Sequence, residues 1–298
     1  MTGNQTGALL MMGSMAAFTF NDTLVKLAGE ELPLPQILVV RGLAATLLIF
    51  VLARMLGSLR LRLPAAAWGL VSLRCLAEAG ATYLFLTALM RMPLANVTAV
   101  LQGLPLTVTL GAALIFAEPV GWRRAAAIAA GFLGMLLIVR PGPDGFGDGA
   151  LYAIGAVACV TVRDLSTRRM PANVPSMTVT LMAALTVTVF GLLLSAGTEW
   201  QPMDARSGGL LISAALFIFA GYLCSVMTMR VGEVAVVAPL RYSGLLWALL
   251  LGWVVFGHWP DAVTLLGAAV VVAAGGFTFY RERRLAGRAR GRARQGPS

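Results

Sequence analysis

An all-α membrane protein of ten transmembrane helices is predicted from three observations. Hydrophobic residues fill 58% of the 298 positions and charged residues only 12%, whereas a soluble domain carries about 25% charged residues. Apolar stretches long enough to cross a bilayer, which takes about 20 residues, recur ten times. Short breaks with proline or glycine turn chemistry separate these stretches. A soluble fold could not cover this much apolar surface, whereas a bilayer removes the need to cover it.

The predicted spans cover residues 6–28, 34–56, 65–89, 94–117, 121–140, 147–169, 174–197, 207–230, 235–257 and 261–281. No linker between them is long enough to divide the chain into independent domains. Residues 282–298 are rich in arginine, glycine and alanine, and we expect them to form a disordered basic tail on anionic lipid at the cytoplasmic side. The formal charge of +10 therefore indicates a topology anchor, and we expect no nucleic-acid partner.

Basic residues lie mostly on one side of the predicted bilayer. With both termini in the cytoplasm, 15 arginines fall in the inner regions, seven of them from Arg281 onward, and 4 basic residues fall in the outer regions. This bias follows the positive-inside rule and predicts a multi-pass protein with both termini in the cytoplasm. The N-terminus carries neither a basic region nor a cleavage signal, so we expect the first span to stay as a helix.

Few residues in the chain suit a metal centre or a hydrolytic triad. Cys75, Cys159 and Cys224 fall in separate apolar stretches, and His258 is the single histidine of the sequence. A zinc site needs clustered cysteine or histidine ligands, and a serine hydrolase needs a histidine beside its serine. We therefore expect no cofactor, no metal ion and no enzymatic activity.

A faint internal repeat relates the two halves of the chain, at shifts of about 140 positions. The matches include Ala95 with Ala235, Phe116 with Phe256, Asp22 with Asp164, Lys26 with Arg168, and the glycines Gly103 and Gly111 with Gly244 and Gly252. A repeat of five spans has an odd number of membrane crossings, so its second copy must be inserted upside down. The sequence therefore predicts two inverted five-helix repeats, at 6–140 and 147–281.

Two hairpins carry a resemblance to a known family. They run from Ala95-Asn96-Val97 through Phe116-Ala117-Glu118-Pro119, and from Ala235-Val236-Val237 through Gly252-Trp253-Val254-Val255-Phe256-Gly257-His258. These segments resemble the EamA-type repeats of the ten-helix branch of the drug/metabolite transporter superfamily. The second copy departs from that pattern at His258, where an acid is usual, and the first has Ala112-Ala113 in place of Gly-Trp.

Within the superfamily, the chain looks most like the YddG-type exporters of aromatic and other amino acids. The resemblance implies a central cavity surrounded by spans one to four and six to nine, with spans five and ten as peripheral braces. It further implies export of amino acids or similar metabolites across a bacterial-type inner membrane by alternating access.

Charged residues inside the spans are the strongest functional candidates, because a charge near the bilayer centre is costly. Asp22 and Arg41 are expected at matching depths near the outer side, and Asp164 and Arg241 at matching depths near the inner side. These mirrored ion pairs could form an outer and an inner gate, or static clamps between helices. Arg163 is expected to extend to the inner interface.

Arg74 and Glu78 lie four residues apart on the third span, and therefore share one helix face near the midplane. They could bind the carboxylate and the ammonium of an amino acid, or they could pair with each other against neighbouring helices. Asp22 and Glu78 could also carry coupled protons.

Polar and aromatic residues inside the spans complete the candidate site: Asn21, Thr82, Tyr83, Gln102, Tyr222, Tyr242, Ser243 and Trp247. Aromatic walls with few polar groups suit apolar substituents, and packing between helices is the alternative role of each ring. Gly103, Pro105 and Gly244 are candidate hinges that would let half-helices rock, with close packing as the alternative.

The sequence therefore predicts a transporter with one central site for amino acids or similar metabolites, working as a monomer or weak homodimer in the lipid bilayer. The spans contain four arginines and three acidic residues. This excess of positive charge favours substrates with a carboxylate. The alternatives are a transporter of the same superfamily for drugs, polyamines or nucleotide-type solutes, a membrane-embedded enzyme, and a scaffold.

Overall fold

A computed structural model of the chain describes residues 3–55, 64, 67–117, 121–140, 147, 149–171, 173–231 and 237–294. This part is helical and contains no β-strand. Its α-helices are α1 (Gly3–Ala28), α2 (Leu34–Met55), α3 (Trp68–Arg91), α4 (Leu94–Leu101), α5 (Leu104–Phe116), α6 (Trp122–Val139), α7 (Ala150–Arg168), α8 (Ser176–Leu194), α9 (Ala205–Val231), α10 (Ser243–Phe256) and α11 (Ala262–Arg294). A 3-10 helix, Ala238–Tyr242, precedes α10.

These helices form ten spans in chain order. The fourth span is α4 followed by α5, the ninth is the 3-10 helix followed by α10, and each of the others is a single helix. Eight spans are long and apolar enough to cross a membrane, and the fifth and tenth contain the shorter apolar helices Ala125–Val139 and Ala262–Thr278. Apart from the end of the tenth span, the observed boundaries lie within three residues of the predicted ones. The predicted fold class is confirmed.

The last helix extends beyond its predicted end. We expected the tenth span to end at residue 281 and a disordered tail to follow, but α11 is helical as far as Arg294. Alanine and arginine are among the strongest helix formers, so helical hydrogen bonding continues past the apolar segment. Several residues used in the sequence-based predictions lie outside the described part of the chain: Arg60, Arg62, Glu118, Pro119, Ala235, Val236 and 295–298.

The main helix–helix interfaces join one half of the chain to the other. The first span packs on the eighth, the third on the sixth, the second on the seventh, the fourth on the ninth and the fifth on the tenth. The eighth span is the third of its half, and the sixth is the first of its half. Exchanging the two halves therefore converts the first–eighth interface into the third–sixth interface and leaves the other three interfaces unchanged. The two five-span halves are therefore related by an approximate twofold axis.

Single residues also follow this symmetry. Thr46 and Thr188, which are equivalent at a shift of 142, lie on the axis and approach each other with their hydroxyl oxygens 3.4 Å apart. Ala117 and Gly257, which are equivalent at a shift of 140, end α5 and α10 with φ angles of 52° and 66°. This left-handed conformation is uncommon for residues other than glycine, so its occurrence at both positions reflects the repeat.

The fifth and tenth spans pack on each other beside the other eight. α6 and α11 cross at Gly134 and Gly267, where a Cβ atom added to Gly134 would lie 2.8 Å from the carbonyl oxygen of Gly267. Small residues allow such close approach of helix backbones in membranes.

The largest apolar core cluster is concentrated at one end of the bundle. It includes Val25 at the end of α1, Leu89 at the end of α3 and Ala150 at the start of α7. We name this end the Lys26 end, after the last charged residue of α1, and the opposite end the Arg168 end, after the last residue of α7. The core closes the bundle at the Lys26 end, so open space lies between the core and the Arg168 end.

Candidate substrate-binding cavity

A cavity of about 620 Å³ lies between the two halves of the chain. Residues from every span except the fifth and seventh line it. Leu86, which also belongs to the core, lies at its closed side, while Ala112, Arg168 and Thr278 line the part toward the Arg168 end. A volume between about 300 and 1,000 Å³ is typical of small-molecule sites.

Arg163 is the centre of an ion-pair network on the cavity wall. Its Nε donates a hydrogen bond to Asp164 Oδ1 at 2.8 Å, and its Nη1 lies 3.4 Å from both carboxylate oxygens of Glu78. The expectation that Arg163 extends to the inner interface is wrong. α7 packs along α3, so the guanidinium meets Glu78 inside the bundle. Arg163 is equivalent to Asn21 at a shift of 142, and Asn21 was a predicted cavity residue. This equivalence was the sequence signal that could have placed Arg163 on the cavity wall.

Arg74 lies outside the main cavity. Its Nη2 is 3.9 Å from Glu78 Oε2, as their spacing of four residues predicts, and its Nε donates to Thr167 Oγ1 at 3.0 Å. Arg74 lines a second cavity of about 110 Å³, which shares Arg41, Glu78 and Tyr222 with the main one. Of the predicted Arg74–Glu78 face, therefore, only Glu78 reaches the main cavity, and Arg163 binds it there.

Asp22 and Arg41 both line the main cavity, but the predicted direct ion pair between them is absent. Within the described residues, no basic side chain forms an ion pair with Asp22, and no acidic side chain forms one with Arg41. Asp22 instead accepts a hydrogen bond from Asn21 Nδ2 at 2.8 Å. α1 and α2 both pack against α9, and Tyr222 of α9 lines the cavity with them.

The second predicted pair, Asp164 with Arg241, is likewise not a direct contact. Asp164 is bound by its neighbour Arg163, while Arg241 lies in the 3-10 helix, exposed and lining the cavity. Arg163, Asp164 and Arg241 line the same cavity. Asp164 and Arg241 therefore share the cavity as predicted, but they do not form an ion pair with each other.

Each half contributes to the cavity wall an aspartate together with the residue that precedes it. Asn21-Asp22 and Arg163-Asp164 are equivalent at a shift of 142, and in each the first side chain donates a hydrogen bond of 2.8 Å to the Oδ1 atom of the second. The donor is a neutral amide in the first half and a guanidinium in the second. These two dipeptides therefore match in geometry and differ in charge, because only Asp164 is paired with a cation.

The remaining candidate residues divide between the cavity and the surrounding packing. Those that line the main cavity are Asn21, Thr82, Gln102, Pro105, Tyr222, Tyr242 and Gly244. Tyr83 instead packs edge-on against Phe190, with ring centres 5.9 Å apart, and Trp247 tilts against Phe20 at 6.4 Å. Inside the cavity, Tyr222 packs edge-on against Phe18 at 5.3 Å, which forms an aromatic wall.

The predicted hinges coincide with breaks in the fourth and ninth spans. α4 ends at Leu101 and α5 begins at Leu104, with Gly103 between them and Pro105 in the first turn of α5. In the ninth span the 3-10 helix gives way to α10 immediately before Gly244. Equivalent breaks in equivalent spans agree with the predicted positions, and their function as hinges stays a prediction.

Lys26 contacts two other helices at the closed end. Its Nζ donates hydrogen bonds to the carbonyl oxygens of Leu89 and Met92, the latter at 2.8 Å, and lies 5.7 Å from the centre of the Phe256 ring. These contacts tie α1 to the ends of α3 and α10. At the opposite end, Arg168 lies 5.6 Å from the centre of the Phe116 ring.

Two aspartates cap helices at the Lys26 end. Asp204 Oδ1 accepts hydrogen bonds from the backbone N–H and the hydroxyl of Ser207, both at 2.7 Å, at the start of α9. Asp261 accepts one from the backbone N–H of Thr264 at 2.8 Å, at the start of α11, and pairs with Arg140. The hydrogen bonds from Ser207 lower the pKa of Asp204, and those from Thr264 and then Arg140 lower the pKa of Asp261.

Residues 5–140 and again 148–280 match the model described as the EamA-like transporter family. The chain belongs to this family. The duplicated match agrees with the two halves seen in the structure, and the family is one of transporters.

Curated relatives of this EamA-like chain are transporters of small metabolites. The riboflavin transporter of Vibrio cholerae is 28% identical over 270 residues, which cover 89% of this chain and 90% of that protein. The pseudopaline exporter CntI of Pseudomonas aeruginosa is 27% identical over 282 residues, which cover 91% and 94%. Neither is an amino-acid exporter of the YddG type, so that finer resemblance is not established.

A solved crystal structure of a protein has the same fold. It superposes with a TM-score of 0.62 over 95% of this chain and 99% of the other, at 17% sequence identity. At this identity the likeness shows the fold alone.

Proposed function

We propose that this EamA-like protein is a secondary transporter that carries amino acids, or amphipathic metabolites of similar size with a carboxylate, across a bacterial-type inner membrane by alternating access. The observation that carries the proposal is the cavity between the two halves, closed at the Lys26 end and lined by charges of both signs. Inverted repeats that meet around a central site are a recurring design of secondary transporters.

The charge of the cavity favours a substrate with a carboxylate. Its lining holds four arginines and three acidic residues: Arg41, Arg163, Arg168, Arg241, Asp22, Glu78 and Asp164. A ligand with one more negative than positive charge, or a zwitterion aligned with the local field, fits this balance better than a polyamine does. The Phe18–Tyr222 wall suits an aromatic or other apolar substituent.

The orientation of the chain is part of the proposal. Under the positive-inside rule, the Arg168 end faces the cytoplasm and both termini are cytoplasmic, so the cavity in this structure would be accessible from the cytoplasm. This state suits a carrier that binds its substrate inside and releases it outside, which is the direction implied by the resemblance to amino-acid exporters. Asp164, Arg241, Gly103 and Gly244 would then belong to the moving parts near the cavity.

A flavin is the second candidate substrate. It is favoured by the likeness to a riboflavin transporter and by the aromatic wall of Phe18 and Tyr222, on which a flat ring could stack. Riboflavin is uncharged, however, and leaves the charged lining of the cavity without a complementary partner, so the carboxylate-bearing class ranks first.

Uptake by purified protein in liposomes distinguishes these substrates. Labelled L-phenylalanine would be offered together with an excess of unlabelled amino acids, polyamines, organic anions or riboflavin. We expect uptake above protein-free liposomes and competition by amino acids but not by polyamines. Absence of phenylalanine uptake, together with uptake of labelled riboflavin, would instead support the second candidate.

A further inference from the structure

We propose that Asp22 and Arg41 bind the two charged groups of the substrate, Arg41 its carboxylate and Asp22 its ammonium. This assignment rests on the proposed function and moves the binding of a zwitterion from Arg74 and Glu78, where the sequence placed it, to a different pair of residues. It follows from which charges on the cavity wall are already paired.

The other acidic residues of the cavity are paired. Arg163 contacts Glu78 on one side and Asp164 on the other, and Arg74 approaches Glu78 as well. A ligand ammonium at either carboxylate would have to compete with a guanidinium already in contact. Among the acids of the described cavity wall, only Asp22 forms no ion pair.

Arg41 is the corresponding cation. Arg163 contacts two carboxylates, Arg168 lies over Phe116, and Arg241 is exposed. Arg41, in contrast, has a buried Nε with no hydrogen-bond partner in the described part of the chain. A guanidinium presents parallel N–H donors that fit a carboxylate with two hydrogen bonds, so Arg41 offers the geometry that the negative group of an amino acid needs.

The surroundings of Asp22 suit an ammonium. Asp22 Oδ1 accepts the Asn21 amide, which leaves Oδ2 available, and Asn21 Oδ1 is buried without a hydrogen-bond partner in the described residues. These two oxygens lie on one short stretch of α1. A primary ammonium has three N–H donors, so it could satisfy both acceptors together.

Tyr222 lies beside this pair of charges. Its side chain lines both cavities together with Arg41, and its ring packs against Phe18 of α1. An amino acid spanning Arg41 and Asp22 would therefore place its side chain along the Phe18–Tyr222 wall. Buried charges without partners are costly, so a substrate that pairs with both would offset part of that cost.

Probes that lack one charge at a time test the assignment. L-Phenylalanine carries both charges, N-acetyl-L-phenylalanine keeps only the carboxylate, and L-phenylalaninamide keeps only the ammonium. Inhibition of labelled L-phenylalanine uptake by each probe would be measured in liposomes. We expect Arg41→Gln to weaken the apparent affinity for phenylalanine and for N-acetylphenylalanine at least about twentyfold, while that for phenylalaninamide changes little. Asp22→Asn should weaken the apparent affinity for phenylalanine and for phenylalaninamide, while that for N-acetylphenylalanine changes little.

Matched controls separate this effect from a general loss of structure. Arg54→Gln removes an exposed arginine from the same helix as Arg41, and Glu199→Gln removes an exposed acid, and both should retain the wild-type pattern. Arg41→Lys keeps the charge and should recover part of the phenylalanine affinity. Thermal unfolding midpoints would identify any variant that fails to fold.

The outcomes distinguish this assignment from the proposed function. If the wild type transports phenylalanine and both Arg41→Gln and Asp22→Asn respond equally to all three probes, the assignment is wrong and the transport function stands. If the same selective loss appears with Arg74→Gln instead, the substrate is bound at the site that the sequence suggested. If the wild type transports no amino acid, both proposals fail together.

Discussion

Lys26 lies 5.7 Å from the centre of the Phe256 ring, and this contact has a symmetric counterpart at the other end of the bundle, where Arg168 lies 5.6 Å from the centre of Phe116. Lys26 and Arg168 are equivalent in the repeat, as are Phe116 and Phe256. The environments differ, because Lys26 also donates to the carbonyl oxygens of Leu89 and Met92, whereas Arg168 lines the cavity. In a carrier that alternates, these two contacts would exchange environments.

Removing the charge of Lys26 should therefore favour opening at the Lys26 end. Hydrogen bonds to a charged group contribute about 1.5–3 kcal/mol each, so loss of even one should increase the open population about tenfold. Labelling with a membrane-impermeant maleimide would measure this at Ala150→Cys, a core position with 3% exposure, after replacement of the three native cysteines. We expect Lys26→Gln to accelerate labelling and Lys26→Arg to leave it nearly unchanged. Equal rates in both variants would contradict the role of Lys26 in closure.

The left-handed residues at the ends of α5 and α10 should respond oppositely to substitution. Ala117 has φ of 52° and Gly257 has φ of 66°, and a non-glycine residue in this region costs about 1–2 kcal/mol. Ala117→Gly should relieve strain and raise the unfolding midpoint, while Gly257→Ala should lower it. Thermal unfolding in detergent checks both, and a lower midpoint for Ala117→Gly would show that the αL conformation is not the dominant cost there.

The crossing of α6 and α11 should not tolerate even one added methyl group. A Cβ at Gly134 would lie 2.8 Å from the backbone oxygen of Gly267, and since a backbone atom cannot rotate away, the helices must separate. We expect Gly134→Ala to destabilise the fold by about 1–3 kcal/mol. Gly209→Ala, in an open helical position, is the control and should be neutral or stabilising by up to about 1 kcal/mol. Equal midpoints for the two variants would contradict close packing at this crossing.

Acidification should weaken the Lys26 end through its helix caps. The pKa values of Asp204 and Asp261 are lowered from the ordinary 3.8, so their contribution to stability is fully present above that value and is lost as the pH falls through the lowered pKa. Asp261→Asn removes the ion pair with Arg140. Its unfolding midpoint should lie below that of the wild type at pH 7 and converge with it once the pH has fallen through the lowered pKa of Asp261. A constant difference across this range would exclude titration of Asp261 as the cause.

Much of the fold could be predicted from the sequence, because membrane spans are defined by local composition. The length of each apolar run and the proline and glycine breaks give the ten spans, and the odd number of spans in each repeat gives the inversion. The kinks at Gly103 and Gly244 were also local signals. The helical extension of α11 to Arg294 was missed because charge and glycine content indicated disorder, while helix propensity favoured continuation.

The partners of the charged residues could not be predicted in the same way. Equal depth suggested Asp22 with Arg41 and Asp164 with Arg241, but depth does not fix the rotation of a helix about its axis. The packing of α7 on α3 turns Arg163 toward Glu78, and Tyr83, one residue from Thr82 on the cavity wall, points to Phe190 instead. The direction of each of these side chains depends on packing against helices that are distant in the sequence.

Counterflow of L-phenylalanine in liposomes tests the central claim, that the chain is an alternating-access carrier of amino acids. Liposomes containing the purified protein would be loaded with unlabelled L-phenylalanine and diluted into a trace of the labelled compound. A carrier with one site exposed alternately to each side should accumulate the label transiently above its equilibrium level. Entry of label without this overshoot, or no entry at all, would contradict the account.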